Sequence, residues 1–187
     1  MTHPEPHDLA TLQALVRDGL QPKFIFFWGH TGKDPAQPGQ ECMSQWYPAP
    51  FTIDGVRYAT AEHYMMAEKA RLFGDEEAAQ RVLAASHPSE VKNAGRAVRN
   101  FDDALWTERR FGIVVAGNRA KFGQNPALGR YLADTRGRIL VEASPTDTIW
   151  GIGLAAKDSS APDPLAWRGL NLLGFALMVV RAELAVV

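Results

Sequence analysis

Apolar and polar positions along this chain fall into two rhythms. Leu9, Leu12, Leu15 and Val16 recur at helical spacing inside a peripheral N-terminal arm, residues 1–23, which begins with His3, Pro4 and Pro6. Phe24-Ile25-Phe26-Phe27-Trp28 is a short continuous apolar run, read as a strand and ended by Gly29. Gly, Pro and polar residues crowd Thr31–Gln40, which reads as a loop. Met43–Tyr47 and Phe51–Tyr58 then predict a hairpin region around Pro48 and Pro50, with Asp54-Gly55 as its tight turn.

Helical signals take over from there. Thr60 predicts an N-cap for a helix through about Leu72, and Gly74 suits its C-terminal stop. Asp75 predicts the cap of a helix over Glu76–Ser86, with Glu76 and Glu77 where the helix dipole favours acids. Pro88 fits the first position of a helix through Val98. Asp102 or Asp103 opens a longer helix through about Phe122, and Pro126–Ala133 gives a short one. Ile139–Ala143 reads as a strand, and an apolar helix closes the chain from about Leu170 to Leu184. Helices dominate and the strands do not alternate with them as βαβ units, so the expected class is α+β, predominantly α-helical with a few short strands.

Composition narrows the function classes. With 187 residues, 46% of them hydrophobic, residues 24–187 are expected to form one catalytic domain around a real core. Twenty basic against 21 acidic residues leave a net charge of −1, which lacks the basic excess of a protein that lives on nucleic-acid backbones. Cys42 stands alone, so neither an intramolecular disulfide nor a cysteine-cluster metal site is expected. The first twenty residues do not resemble a signal peptide, and the apolar run near Leu170–Val180 holds Gly174 and ends at Arg181 and Glu183, so no membrane span is expected. The chain reads as cytoplasmic. No His spacing fits a metal site, and no metal or cofactor is expected. Gly29-His30-Thr31-Gly32-Lys33 superficially suggests a phosphate loop but does not satisfy the Walker spacing.

Chemistry concentrates on the helix after Thr60. Glu62 and Lys69 lie seven residues apart and share a face, roughly 10 Å apart along the axis. Met66 and Phe73 fall on that face as well. In the first turn, Glu62 is favoured in its ionised form, suited to act as base, hydroxyl acceptor or cation stabiliser. Lys69, flanked by Met65, Met66 and Phe73, is a candidate amine nucleophile if partly desolvated. The plain alternative is that Glu62 caps the helix and Lys69 is a surface lysine. His63 points about a quarter-turn away from Glu62 and suits a structural hydrogen bond.

A set of words runs through the chain in a fixed order: FFWG at 26–29, MSQWYPAPF at 43–51, DGVRYATAEHYMMAEKARLFGD at 54–75, AGRAVRNFD at 94–102 and LW at 105–106, then GNRAKFGQNPAL at 117–128, LVEASPTDTIWGIGL at 140–154 and WRGLNLLGFALMVVRAEL at 167–184. This series resembles the NADAR superfamily, the YbiA-like N-glycosidases of riboflavin intermediates, over about residues 24–184. The resemblance implies a NADAR/YbiA-like fold and hydrolysis of the N-glycosidic bond in phosphoribosyl-amine pyrimidine intermediates of riboflavin biosynthesis, releasing ribose 5-phosphate. It also implies two alternatives: removal of ADP-ribose from guanine in nucleic acid, and a non-catalytic module that binds NAD or ADP-ribose. The expected partner is a phosphoribosyl or ADP-ribosyl small molecule, with nucleic acid only in the first alternative.

By position in those words, Glu62, Lys69 and Asp147 become the catalytic candidates, and Trp28, Gly29, Arg96, Trp106, Glu142, Trp150 and Asn171 the substrate-binding ones. Met43-Ser44-Gln45-Trp46-Tyr47 stands where many relatives carry a Leu-Ser-Asn-Phe-Tyr word. The local reading of several candidates stays open. Asp147 precedes a glycine-bearing turn that lets backbone approach a ligand, or is simply an Asx-turn residue. Arg96 is a phosphate clamp or a solvated arginine, and Trp28 and Trp106 are stacking platforms or core. A basic patch for nucleic acid would need Arg96, Arg99, Arg109, Arg110, Arg119 and Lys121 to cluster.

Overall fold

The computed structural model describes residues 5–32 and 37–185. His3 and Pro4 of the expected arm, part of the expected 31–40 loop and the last two residues of the expected domain lie outside them. Among the described residues the α-helices and strands run in the order α1 (Leu9–Arg17), β1 (Lys23–Phe27), β2 (Phe51–Ile53), β3 (Val56–Tyr58), α2 (Ala61–Leu72), α3 (Glu76–Ala84), α4 (Pro88–Arg96), α5 (Asp103–Gln124), α6 (Pro126–Asp134), β4 (Arg138–Glu142) and α7 (Leu172–Leu184). The α+β, mainly helical expectation holds. No described helix is long and apolar enough to cross a membrane.

The chain divides into two compact units, Met1–Ser44 with Ala127–Val187, and Gln45–Pro126. In the first, β1 and β4 pair in parallel, with Phe24 opposite Ile139 and Phe27 opposite Glu142. Helix α7 packs on β4. Gly174 permits that approach, because a Cβ there would lie 2.0 Å from the Leu140 carbonyl oxygen. Helix α1, capped by Asp8, is part of this unit: Leu12 is fully buried and Gln13 Nε2 donates to the Pro164 carbonyl at 2.9 Å. Arg181 is buried near the end of α7, donating to the Thr135 and Arg138 carbonyls and pairing with Glu5.

The second unit holds the β2–β3 hairpin and helices α2 to α5. Asp54-Gly55 makes the expected tight turn with φ of 50° and 77°, a left-handed pair that Asp and Gly tolerate. The expectation for Met43–Tyr47 fails. Gln40–Met43 forms a short 3-10 turn, and the hairpin is confined to residues 51–58. Phe51, Tyr58 and Tyr64 cluster beneath that hairpin, the two tyrosines edge to face at 5.0 Å. Aromatic burial of this kind, together with the Gln124 carboxamide that donates to the Thr52 carbonyl at 2.7 Å and accepts from its amide at 2.9 Å, fixes three-residue strands too short to stand alone.

Candidate active site

In the Gln45–Pro126 unit the site grows from the start of α2. Thr60 caps this helix, its hydroxyl oxygen accepting from the His63 amide at 3.3 Å. The same hydroxyl pairs with His63 Nδ1 at 2.8 Å, and His63 Nε2 meets the Ala85 carbonyl at 3.2 Å. Since the carbonyl can only accept, Nε2 carries the proton and Nδ1 takes the hydroxyl hydrogen. His63 is thus a pin between α2 and the end of α3, as expected. With the cap supplied by Thr60, Glu62 is not needed for capping. It is 6% exposed, and its amide donates to the Gln45 carbonyl at 3.0 Å. That burial sets Glu62 apart from the solvated first-turn acids of α3.

Lys69 does not behave as a surface lysine either. It is half-buried, and its Nζ donates to the Gly95 carbonyl at 2.9 Å. Nζ also sits 4.4 Å from the centre of the Phe101 ring and 5.6 Å from that of Trp106. Burial pushes its pKa below the ordinary lysine value. The contact with Gly95 exists because α4 comes close to α2, and a Cβ on residue 95 would lie 2.3 Å from Met66 Sδ, so the glycine leaves room for that side chain.

Arg96 follows directly, exposed at the last turn of α4, where its Nη2 donates to Asn93 Oδ1 at 3.0 Å. Trp106 is buried with its indole toward Lys69. Three more of the six basic residues have partners within the fold. Arg99 is tied to buried Asp75 at 2.8 Å and to Glu77 at 3.3 Å. Arg109 pairs with Glu108 at 3.0 Å, and Lys121 is buried against Tyr47 and Phe122. Phe101 is the residue that sequence reasoning missed.

The other unit gathers six candidates around the carboxyl ends of its parallel strands. Trp28, 64% exposed, and Gly29, at φ 81°, leave β1 beside Glu142, the last residue of β4. Asn171 is fully buried in a left-handed conformation at φ 54° and spends its side chain on β4. Its Oδ1 accepts from the Glu142 amide at 3.0 Å and its Nδ2 donates to the Leu140 carbonyl at 2.9 Å. Asp147 Oδ1 accepts from the Ile149 and Trp150 amides at 2.8 and 2.7 Å, an Asx-turn geometry that orients Trp150. The turn is fastened to β4 where the Ile152 amide donates to the Glu142 carbonyl at 3.0 Å. Gly151 is required there, since a Cβ would lie 2.8 Å from that carbonyl.

Comparison with known proteins follows the same residues. The family model described as NADAR domain matches residues 26–185. N-glycosidase R617 of Acanthamoeba polyphaga mimivirus is 43% identical over 86% of this chain and 96% of its own length. Riboflavin biosynthesis protein VVA0006 of Vibrio vulnificus is 30% identical over 90% of the chain, which spans only 41% of that larger protein. N-glycosidase YbiA of Escherichia coli is 31% identical over 73% of the chain and 77% of its own length. The solution structure of Escherichia coli YbiA superposes with a TM-score of 0.70 at 26% identity, covering 89% of this chain and 88% of that one.

Proposed function

The chain belongs to the NADAR domain family, and from that premise we propose that it hydrolyses a phosphoribosyl-amine pyrimidine of the riboflavin pathway, releasing ribose 5-phosphate and the free amine. It is an enzyme, an N-glycosidase acting on N-glycosyl bonds. The narrower substrate is supported by the riboflavin-biosynthesis name of one relative. The observation that carries the reading is the pair on α2: a carboxylate that is buried without serving as the cap, and a lysine held between two rings and a carbonyl.

Cleavage of a ribosyl–nitrogen bond develops positive charge at the anomeric carbon. Glu62, ionised, stabilises that charge and accepts a proton from water as its oxygen bonds to the carbon. The C–N electron pair leaves with the amine, which takes up a proton. A ribosylamine also opens to an imine, and this gives Lys69 a role. Its free amine adds to that carbon, the pyrimidine amine departs with a proton, and water hydrolyses the lysine imine to regenerate Lys69. The lowered pKa of Lys69 favours this route, because more of the amine is unprotonated near neutral pH. Removal of ADP-ribose from guanine in nucleic acid is less well supported, since the Arg99, Arg109 and Lys121 charges are spent on neighbours within the fold.

The test is incubation of the protein with the phosphoribosyl-amine pyrimidine, following free amine and ribose 5-phosphate, and, separately, with ADP-ribosylated guanine DNA, following free ADP-ribose. Release from the pyrimidine substrate alone is expected. Release from the DNA alone overturns the substrate assignment, and release from neither overturns hydrolysis.

A further inference from the structure

The loop between α4 and α5 presents a large apolar residue to solvent at some backbone cost. Phe101 is 44% exposed, and Asn100 before it is held at φ 55°, a left-handed conformation that Asn bears more readily than most residues. Asp102 then caps α5 by accepting from the Leu105 amide at 2.8 Å. Counting from that cap, Phe101 is the residue just outside the helix and Trp106 is the fourth inside it. These are the two positions that ordinarily pack on one another as a hydrophobic staple. Here both rings also face the Lys69 amine, at 4.4 and 5.6 Å.

We propose that Phe101 is a positioning residue for the reaction at Lys69: its ring, with Trp106 and the Gly95 carbonyl, holds the lysine head group in one place. The inference rests on the N-glycosidase reading given above. Phe101 is itself fixed from behind by Phe73, whose ring lies 5.2 Å away at 63°, an edge-to-face geometry that is favourable between aromatic rings. Lys69 has four flexible side-chain bonds, and a freely rotating amine seldom sits where an attack on carbon needs it. One hydrogen bond to Gly95 restrains its distance, and two ring faces restrain its direction. The rings also favour the ammonium form through their quadrupoles, against the burial that disfavours it. Phe101 therefore balances two demands: the amine must be held, and it must still lose its proton. Glu68 is the other titratable group on the same helix next to Lys69, and it is engaged by Arg71 at 2.6 Å; Arg96, next to Gly95, is bonded to Asn93.

The experiment compares wild type with Phe101→Leu and Phe101→Tyr in two independent readouts. The first is competitive acylation of the Lys69 amine across pH, located by mass spectrometry, which needs no turnover. The second is kcat and KM on the phosphoribosyl-amine pyrimidine. Leu keeps apolar bulk but has no ring, so the labelling midpoint falls by about one pH unit, and kcat on the high-pH plateau, where the Lys69 amine is unprotonated in every variant, falls roughly tenfold, with KM changed less. Tyr keeps the ring face and stays at wild-type values in both. Because Phe101 is partly exposed, the melting temperatures of all three proteins are expected to agree closely. A Leu variant with the wild-type midpoint overturns the proposal, as does one with the wild-type kcat. If wild type releases no base, the hydrolase reading fails, while the labelling series still decides whether Phe101 holds Lys69.

Discussion

Replacing Asn171 separates a backbone requirement from a side-chain requirement at one position. Its carboxamide satisfies the Glu142 amide and the Leu140 carbonyl at 3.0 and 2.9 Å, and its backbone is left-handed at φ 54°. Asn171→Gly removes both hydrogen bonds but suits the backbone, so its cost is that of two interior groups losing their partner. At roughly 1–3 kcal/mol per orphaned group, the loss is about 2–6 kcal/mol. Asn171→Ala loses the same bonds and adds a Cβ in the left-handed region, worth about 1–2 kcal/mol more. Asn171→Asp keeps an acceptor for Glu142 but sets an oxygen against the Leu140 carbonyl. In urea melts the order of midpoints is therefore wild type, then Gly, then Ala, with Asp well below wild type. An Ala variant as stable as Gly would refute the backbone argument, and a Gly variant as stable as wild type would refute the clamp.

Other expectations follow from the same coordinates. Asp75 accepts from the Arg99 guanidinium and backbone and from the Ala78 amide, which hold its carboxyl far below the usual range. A lowered folded-state pKa contributes stability that is complete above the unfolded value of about 3.9 and is lost as pH falls from there through the folded value. The stability gap between wild type and Asp75→Asn, read from urea melts, is expected to stay flat from neutral pH to about pH 5 and to shrink only in stronger acid; a gap that already closes near neutrality contradicts this. Lys69→Arg retains a cation and loses the nucleophile, so on the imine route turnover falls by more than about a hundredfold, and borohydride traps an adduct in wild type only. Wild-type turnover by the amine rises with pH through a value below the ordinary lysine pKa of about 10.4, and a pH-independent kcat/KM across that range removes Lys69 from the chemistry.

Legibility in the sequence tracked the range of the interaction. Thr60, Asp75, Pro88 and Asp102 each announce a helix start through local chemistry, and each helix begins there. Asp54-Gly55 announces its turn in the same way. The parallel pairing of Lys23–Phe27 with Arg138–Glu142 was hidden, because two short apolar runs separated by most of the chain carry no mark of partnership. Met43–Tyr47 misled because a short apolar word fits a buried turn as well as a strand. At the site, the shared face of Glu62 and Lys69 was readable from spacing, but burial was not, and burial is what removed the cap-and-surface reading. Among the basic residues, the Arg99 partners Asp75 and Glu77 lie more than twenty residues away and could not be read from the sequence, whereas Glu108, the partner of Arg109, is its immediate neighbour. Phe101 had a signal that went unread: an aromatic one residue before a cap and a second four residues after it.

In the proposed reaction the buried Glu62 carboxylate drives N-glycosidic cleavage. Single-turnover release of free pyrimidine amine, measured for wild type and Glu62→Gln at equal folded concentration, tests it most directly. Gln keeps the size and hydrogen-bonding reach of the side chain but carries no charge, so release is expected to slow by about a thousandfold while the melting temperature holds or rises. Release at the wild-type rate from a folded Glu62→Gln protein would contradict the account.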